Sequence, residues 1–301
     1  GAFSQLAGRP LSGSVSLDAS GRARLDVAQF VLELDGVAND LGVGIAPIDR
    51  MLAGRAQVNA ALDRGPDGLV VRDFDIKSTL LQADAQGTLS GAESDLQFAA
   101  RVDPRAFSDR GSLPPIALVG RFEGAADGTV GLDVTGSGPG ASVRLSGELK
   151  DRSLAPSLSG NANLSVEDLS LYAELIGRPV GGNLAAEARG DVALDLSEFD
   201  VVASGSGGNL LLGAPLLDRV VAGRATFRID ASRQDGRTMI RQAEVETPVL
   251  TASASGQSRG EGQALRVDAR LNDIAPFLSA LSGPATASGT LTELDGGVWL
   301  A

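Results

Sequence analysis

Neither cysteine nor histidine occurs anywhere in the 301 residues. Their absence removes disulfides, thiolate nucleophiles, Cys/His zinc sites and imidazole acid–base chemistry together. Aromatic residues are scarce at 4%, so the apolar surface must come from Ala, Val, Leu and Ile. No apolar run approaches the ~18–20 residues of a membrane-spanning helix, and no stretch reads as a secretory leader. Clustered Lys/Arg is missing too: the net charge is −12, with cations scattered singly among Asp and Glu. That balance argues against a nucleic-acid partner and against bulk attraction to anionic membrane surfaces. A chain without thiols is tolerated well in an oxidising compartment, which supports an extracytoplasmic location.

What is present is alternation. Apolar residues stand two apart with polar ones between them at Val58, Ala60 and Leu62; Leu96, Phe98, Ala100 and Val102; Val130, Leu132 and Val134; Val143 and Leu145; Val192, Leu194 and Leu196; Ala225, Phe227 and Ile229; and Leu265, Val267, Ala269 and Leu271. That period places one set of side chains on one face of a sheet and the polar set on the other. Gly numbers 39, and many glycines fall in turn clusters such as Arg64-Gly65-Pro66-Asp67-Gly68, Gly136-Ser137-Gly138-Pro139-Gly140 and Gln234-Asp235-Gly236-Arg237. The spacing predicts roughly twenty short strands joined by tight turns, leaving no room for parallel crossovers.

Four stretches break the pattern and predict short helices. Residues 166–176 place Leu169, Tyr172 and Ile176 three and four apart, follow Ser165-x-x-Asp168, and end at Gly177 before Pro179. Residues 47–53 and 215–222 begin near a Pro and end before Gly54 and Gly223, and residues 273–281 are the fourth. Pro inside the start and Gly past the end are the marks of short helices.

The two halves of the chain also match each other. Phe3 and Tyr172 lie 169 positions apart, and so do Gly8 and Gly177, Arg9 and Arg178, Pro10 and Pro179, Gly21 and Gly190, and Phe30 and Phe199. Asp49-Arg50 lands on Asp218-Arg219, Ala53-Gly54-Arg55-Ala56 on Ala222-Gly223-Arg224-Ala225, Gly87 on Gly256 and Arg101 on Arg270. About a quarter of positions are identical without a gap, the signature of a diverged tandem duplication. Residues 1–169 are therefore expected to form one unit and 170–301 a second, truncated unit of the same type. The fold expected is mainly β: an elongated antiparallel sheet curled into an open, solenoid-like groove, with a few short amphipathic helices. A start at Gly1 and an end in VWLA suggest an interior piece of something longer.

The segments DLSLYAELIGRPVGGNLAAEARG and GAPLLDRVVAGRATFRIDA, with the aromatic-poor alternating strands, resemble the TamB family and, more broadly, AsmA-like bacterial proteins. The resemblance covers essentially the whole chain. It implies a periplasmic protein anchored in the inner membrane of a Gram-negative bacterium, with a sheet whose apolar groove carries phospholipid acyl chains. It further implies a TamA/BamA-type outer-membrane partner, and a role in phospholipid transport or in β-barrel protein insertion.

The groove-lining candidates are the alternating residues Val58, Ala60, Leu62, Leu96, Phe98, Val102, Val130, Leu132, Val134, Val192, Leu194, Ala225, Phe227, Ile229, Leu265 and Val267. Three readings of them stand side by side: a lipid conduit with an open interior, a scaffold lending strand edges to nascent outer-membrane proteins, and a passive β-solenoid or adhesin with a filled core. Gly8, Arg9, Pro10, Gly177, Arg178, Pro179, Gly54, Arg55, Gly223 and Arg224 mark the repeat; they read as helix stops with a covering cation, or as a contact for lipid phosphate. The Asp-Arg pairs read as helix-surface charges, and the helices as gates or plugs of the groove. Asp73 and Asp75 would be needed for carboxylate catalysis, yet their counterparts are Gln242 and Glu244, so no enzyme is expected. No cofactor or metal is expected either.

Overall fold

The computed structural model describes residues 12–24, 28–42, 44, 46–90, 93–107, 113–125, 129–150, 157–193, 197–257, 264–274, 282–294 and 298–300. Their contacts part into two compact units, one of residues 1–139 and 144–154, the other of residues 140–143 and 155–301. The class is mainly β and antiparallel, with a few short helices. Eighteen strands are present among the described residues, where roughly twenty are expected of the whole chain.

In the first unit β1 (Ser12–Ala23), β2 (Phe30–Gly42), β3 (Arg55–Gly65), β4 (Gly68–Lys77), β5 (Leu81–Leu89), β6 (Ser94–Val102), β7 (Ile116–Gly124) and β8 (Val130–Gly138) follow in order, each pairing antiparallel with the next. No pairing among the described residues joins β8 back to β1, so this ladder stays open. Helix α1 (Ala46–Met51) lies between β2 and β3. The next strand, β9 (Ala141–Lys150), has its first three residues in the second unit.

In the second unit β10 (Ser157–Val166), β11 (Gly181–Ala193), β12 (Phe199–Leu211), β13 (Arg224–Gln234), β14 (Arg237–Glu246), β15 (Leu250–Gln257), β16 (Ala264–Leu271), β17 (Ala285–Leu294) and β18 (Val298–Leu300) repeat the arrangement. Helix α2 (Ala173–Ile176) precedes β11, and α3 (Pro215–Val220) lies between β12 and β13.

Details of geometry recur 169 residues apart. Helices α1 and α3 occupy corresponding residues, and the register shift of β1 at Ser12/Ser14 recurs in β11 at Gly181/Asn183. Asp40 and Asn209 both have φ +50, and the N–H of each donates at 2.8 Å to the carbonyl of Gly54 or Gly223. The Ser78 N–H donates to Leu81 O at 2.7 Å and the Thr247 N–H to Leu250 O at 2.8 Å, each closing a turn between strands. The hydroxyl of each also accepts from the following amides, at 3.0 Å from Leu81 and 2.9 Å from Leu250. Sequence identity near a quarter thus goes with a backbone geometry repeated down to single residues.

Most apolar side chains are only half-buried. Among the buried ones Ala38, Leu52, Ala56, Val102 and Ala106 gather around one end of the first unit, where α1 packs on β2 and on the 3-10 turn Pro104–Ala106, and Ala60, Val71, Val166, Val180, Ala193 and Ala225 are buried elsewhere. No large side chain is fully buried among the described residues. Burial is concentrated at this helix-covered end, so Leu52→Ala, at a side chain 5% exposed, should cost about 2–4 kcal/mol in urea unfolding. Val119→Ala, at a residue 55% exposed, should change stability by no more than about 0.5 kcal/mol.

Candidate functional site: a one-sided apolar face

Register decides which residues share a face. In the first unit Leu32, Leu62, Val71, Gly87, Leu96, Phe122 and Leu132 form one cross-strand row. The next row on that face is Leu34, Ala60, Phe74, Ala85, Phe98, Gly120 and Val134, and the third is Gly36, Val58, Ile76, Ala83, Ala100, Leu118 and Gly136. Every member of the three rows is apolar. The opposite face carries Glu33, Asp35, Asn59, Asp75, Asp84, Gln97, Arg121 and Asp133.

The second unit does the same with smaller side chains. Ala188, Ala203, Ile229, Ala243, Ala254, Val267 and Gly289 make one row, and Ala186, Gly205, Phe227, Val245, Ala252, Ala269 and Ala287 the next. The face behind them carries Glu187, Ser204, Arg228, Glu244, Ser253 and Asp268.

Two irregularities keep the rows apolar. At Val71-Arg72-Asp73-Phe74 and at Ile240-Arg241-Gln242-Ala243 the strand carries one extra residue, so both polar residues point outward and both flanking apolar ones inward. Without the bulge, Phe74 or Ala243 would turn to the polar face. The strict two-residue period is broken here, which hides from the sequence that Val71 shares a face with Phe74 and Ile240 with Ala243; Val71, Phe74, Ile76, Ile240 and Val245 are not among the sequence-derived candidates.

The aromatic rings lie along the sheet instead of standing off it. A Cβ on Gly120 would overlap the outer ring atoms of Phe98, and one on Gly205 those of Phe227. Glycine on the neighbouring strand therefore gives each ring its bed. Phe98 also meets Phe122, with centroids 5.2 Å apart at 30°.

Of the expected lining residues, Val58, Ala60, Leu62, Leu96, Phe98, Val130, Leu132 and Val134 fall on this face, and Val102 extends it opposite Leu81 and Ile116. Ala225, Phe227, Ile229, Val192, Leu265 and Val267 share the corresponding face of the second unit. Ala60, Val102 and Ala225 are buried, Ile229 is exposed, and the others are half-buried. Leu194 lies outside the described residues.

The repeat-marking residues have local structural work. Gly177 caps α2 at φ +77, its N–H donating to Ala173 O at 2.9 Å. Gly54 and Gly223 have φ +78 and +87, and the Gly54 N–H donates to Asp40 Oδ1 at 2.9 Å. Arg55 and Arg224 open β3 and β13 as exposed side chains. Beside Gly177, Arg178 and Pro179 are exposed, and it is the Arg178 backbone N–H that reaches Ala173 O, at 3.2 Å. Gly8, Arg9 and Pro10 lie outside the described residues.

Three helical expectations need correction. The stretch expected to be helical from 166 is still strand there, because Val166 pairs with Leu184; the turn begins at Leu169, with Asp168 accepting from Ser170 N at 2.9 Å in place of a Ser165 cap. Helices α1 and α3 end at Met51 and Val220, earlier than expected. Asp218 is no mere surface charge: its Oδ1 accepts the Leu212 N–H at 2.6 Å and ties α3 to the end of β12. The fourth expected helix, 273–281, lies outside the described residues from 275 onward.

The polar face is an ionic network. Arg121 grips Asp95 with two bonds of 2.7 Å and reaches Glu123 at 2.7 Å. In the second unit Arg241, at the β14 bulge, bridges Asp200 and Asp230. In the first unit the positions equivalent to those two acids are Val31 and Ala61. The counterpart of Arg241, Arg72, instead lines an open hollow of 340 Å³ with Gln86, Thr88, Asp95 and Gln97. Asp75 stands opposite Asp84 on this face, and no group of acids suited to a metal occurs among the described residues.

Hydrogen bonds from Arg121 hold the Asp95 carboxyl below its ordinary range, and those from Arg105 do the same for Asp103. A carboxylate whose folded pKa is depressed contributes stability above its unfolded pKa and loses it as pH falls through the folded value. In a carboxyl NMR titration Asp95 should therefore protonate below the ordinary carboxylate range, and Arg121→Gln should return it to that range. Among known proteins, no family model, no curated protein and no solved structure matches the chain.

Proposed function

We propose that this chain is a segment of a periplasmic bridge protein whose apolar face carries phospholipid acyl chains between the inner and outer membranes. The observation that carries the reading is the state of that face. It is apolar across three successive rows of the first unit and two of the second, yet no large side chain on it is fully buried among the described residues. A packed sandwich or solenoid would have closed over Phe98, Leu132 and Phe227.

The energetics favour a lipid as the missing cover. An acyl chain of about sixteen carbons loses on the order of 12 kcal/mol of favourable burial when it crosses water unaided. A face built from repeated Ala, Val and Leu offers contact at every step without one deep site. The polar face, with its ionic ladder, keeps the other side in water.

A second reading, in which the protein scaffolds insertion of outer-membrane β-barrel proteins with a TamA/BamA-type partner, draws support from the exposed edge of β1. All twelve residues of that strand are exposed. Nothing in either reading calls for catalysis.

The test is lipid transfer between vesicles carrying fluorescent phosphatidylethanolamine. Phe98→Glu, Leu132→Glu and Phe227→Glu should each lower transfer about tenfold or more, since each places a charge against the acyl chain. Gln97→Glu, on the opposite face, should leave it unchanged. Equal transfer by all four variants, with circular dichroism unaltered, would contradict the proposal.

A further inference from the structure

The strands β1 and β11 form a natural controlled comparison. Both pair inward with a counterpart strand, both carry the same register shift near their start, and Gly13 and Gly182 take φ +95 and +91. They differ in the outer neighbour. Strand β11 has β10 there, paired over ten residues from Ser157↔Ala193 to Val166↔Leu184. Among the described residues β1 has a ladder with β2 alone.

Burial records the difference. Along β11 half-buried and exposed residues alternate, whereas every residue of β1 is exposed. Val15 and Leu17 are 51% and 50% exposed, although their counterparts Leu184 and Ala186 are half-buried. Free edges are normally blunted by Lys, Pro or short length. This one has twelve residues and neither Lys nor Pro.

We propose that the outer edge of β1 docks a strand of the β10 type, carried by another repeat unit of this kind. Shifting the β10–β11 register by 169 places Val166 of such a strand opposite Val15, Leu164 opposite Leu17, Ala162 opposite Ala19, Gly160 opposite Gly21 and Leu158 opposite Ala23. Each apolar residue then extends a row of the apolar face, Leu17 and Ala19 already standing beside Gly36 and Leu34. Main-chain hydrogen bonds supply the attraction and the row pattern fixes the register. The proposal does not rest on the lipid reading, and its failure would leave that reading intact.

The chain has no cysteine, so one introduced thiol reports alone. The full chain with Leu17→Cys is oxidised mildly with synthetic peptides of residues 157–166 carrying Leu164→Cys, Ala162→Cys or Leu158→Cys. These three thiols lie on one face, so only register separates them. The Leu164→Cys peptide should be trapped about fivefold faster than the others, and Ala19→Cys should move the preference to Ala162→Cys. Trapping should also slow amide exchange along β1. Equal trapping of all three peptides, equal trapping of an unrelated alternating peptide, or a disulfide-linked dimer of two Leu17→Cys chains formed in preference to any peptide adduct would each overturn the proposal.

Discussion

Antiparallel register is the constraint on which the rest depends. Side chains alternate sides with a period of two, so a slip of one residue on any strand would carry its whole apolar set to the wet face. Across the successive ladders of the first unit this never happens: Leu62, Val71, Gly87, Leu96, Phe122 and Leu132 remain in one row. The bulges at Arg72-Asp73 and Arg241-Gln242 belong to this constraint, since each absorbs a residue that would otherwise invert the strand. Charged pairs such as Arg121 with Asp95 add a second bias against slippage, because they meet only when both strands are in place.

Register makes the face apolar, and side-chain size leaves it uncovered. Ala and Gly dominate the rows of the second unit, and the rings of Phe98 and Phe227 rest on Gly120 and Gly205 instead of projecting. With nine Phe, one Trp and one Tyr in the chain, there is too little bulk to fill the space over such a wide face. Covered residues gather where a short helix packs, as Leu52 and Ala106 do near α1. The helices are thus local covers at the ends of strands, with Asp218 and the Gly54 amide fixing where they attach.

Much of this was legible in the sequence because the period of two and the 169-residue offset are properties of residue identity alone. Val58, Phe98 and Leu132 in the first unit, and Phe227 in the second, could each be assigned to the apolar side of their own strand from spacing, and the Gly54-Arg55 and Gly223-Arg224 motifs marked equivalent turns. Legibility failed where backbone geometry, not residue type, decides. At Val71-Arg72-Asp73-Phe74 two adjacent polar residues point the same way, which no alternation rule anticipates. At Ser165-Val166 a capping pattern was overridden by pairing with β11. Asp40 and Asn209 are ordinary polar residues in the sequence, and only their φ of +50 shows that they turn the strand end back toward the glycine turn. The half-buried state of the apolar face was also invisible, since alternation is the same whether or not another layer lies over it.

The central claim is that the uncovered apolar face is a lipid surface. It is tested most directly by mass spectrometry of phospholipid that remains with the chain after expression in bacteria and purification without detergent. The account predicts phospholipid in at least stoichiometric amount, displaced when Phe98 and Phe227 are both replaced by Glu. A correctly folded chain that carries no phospholipid would contradict it.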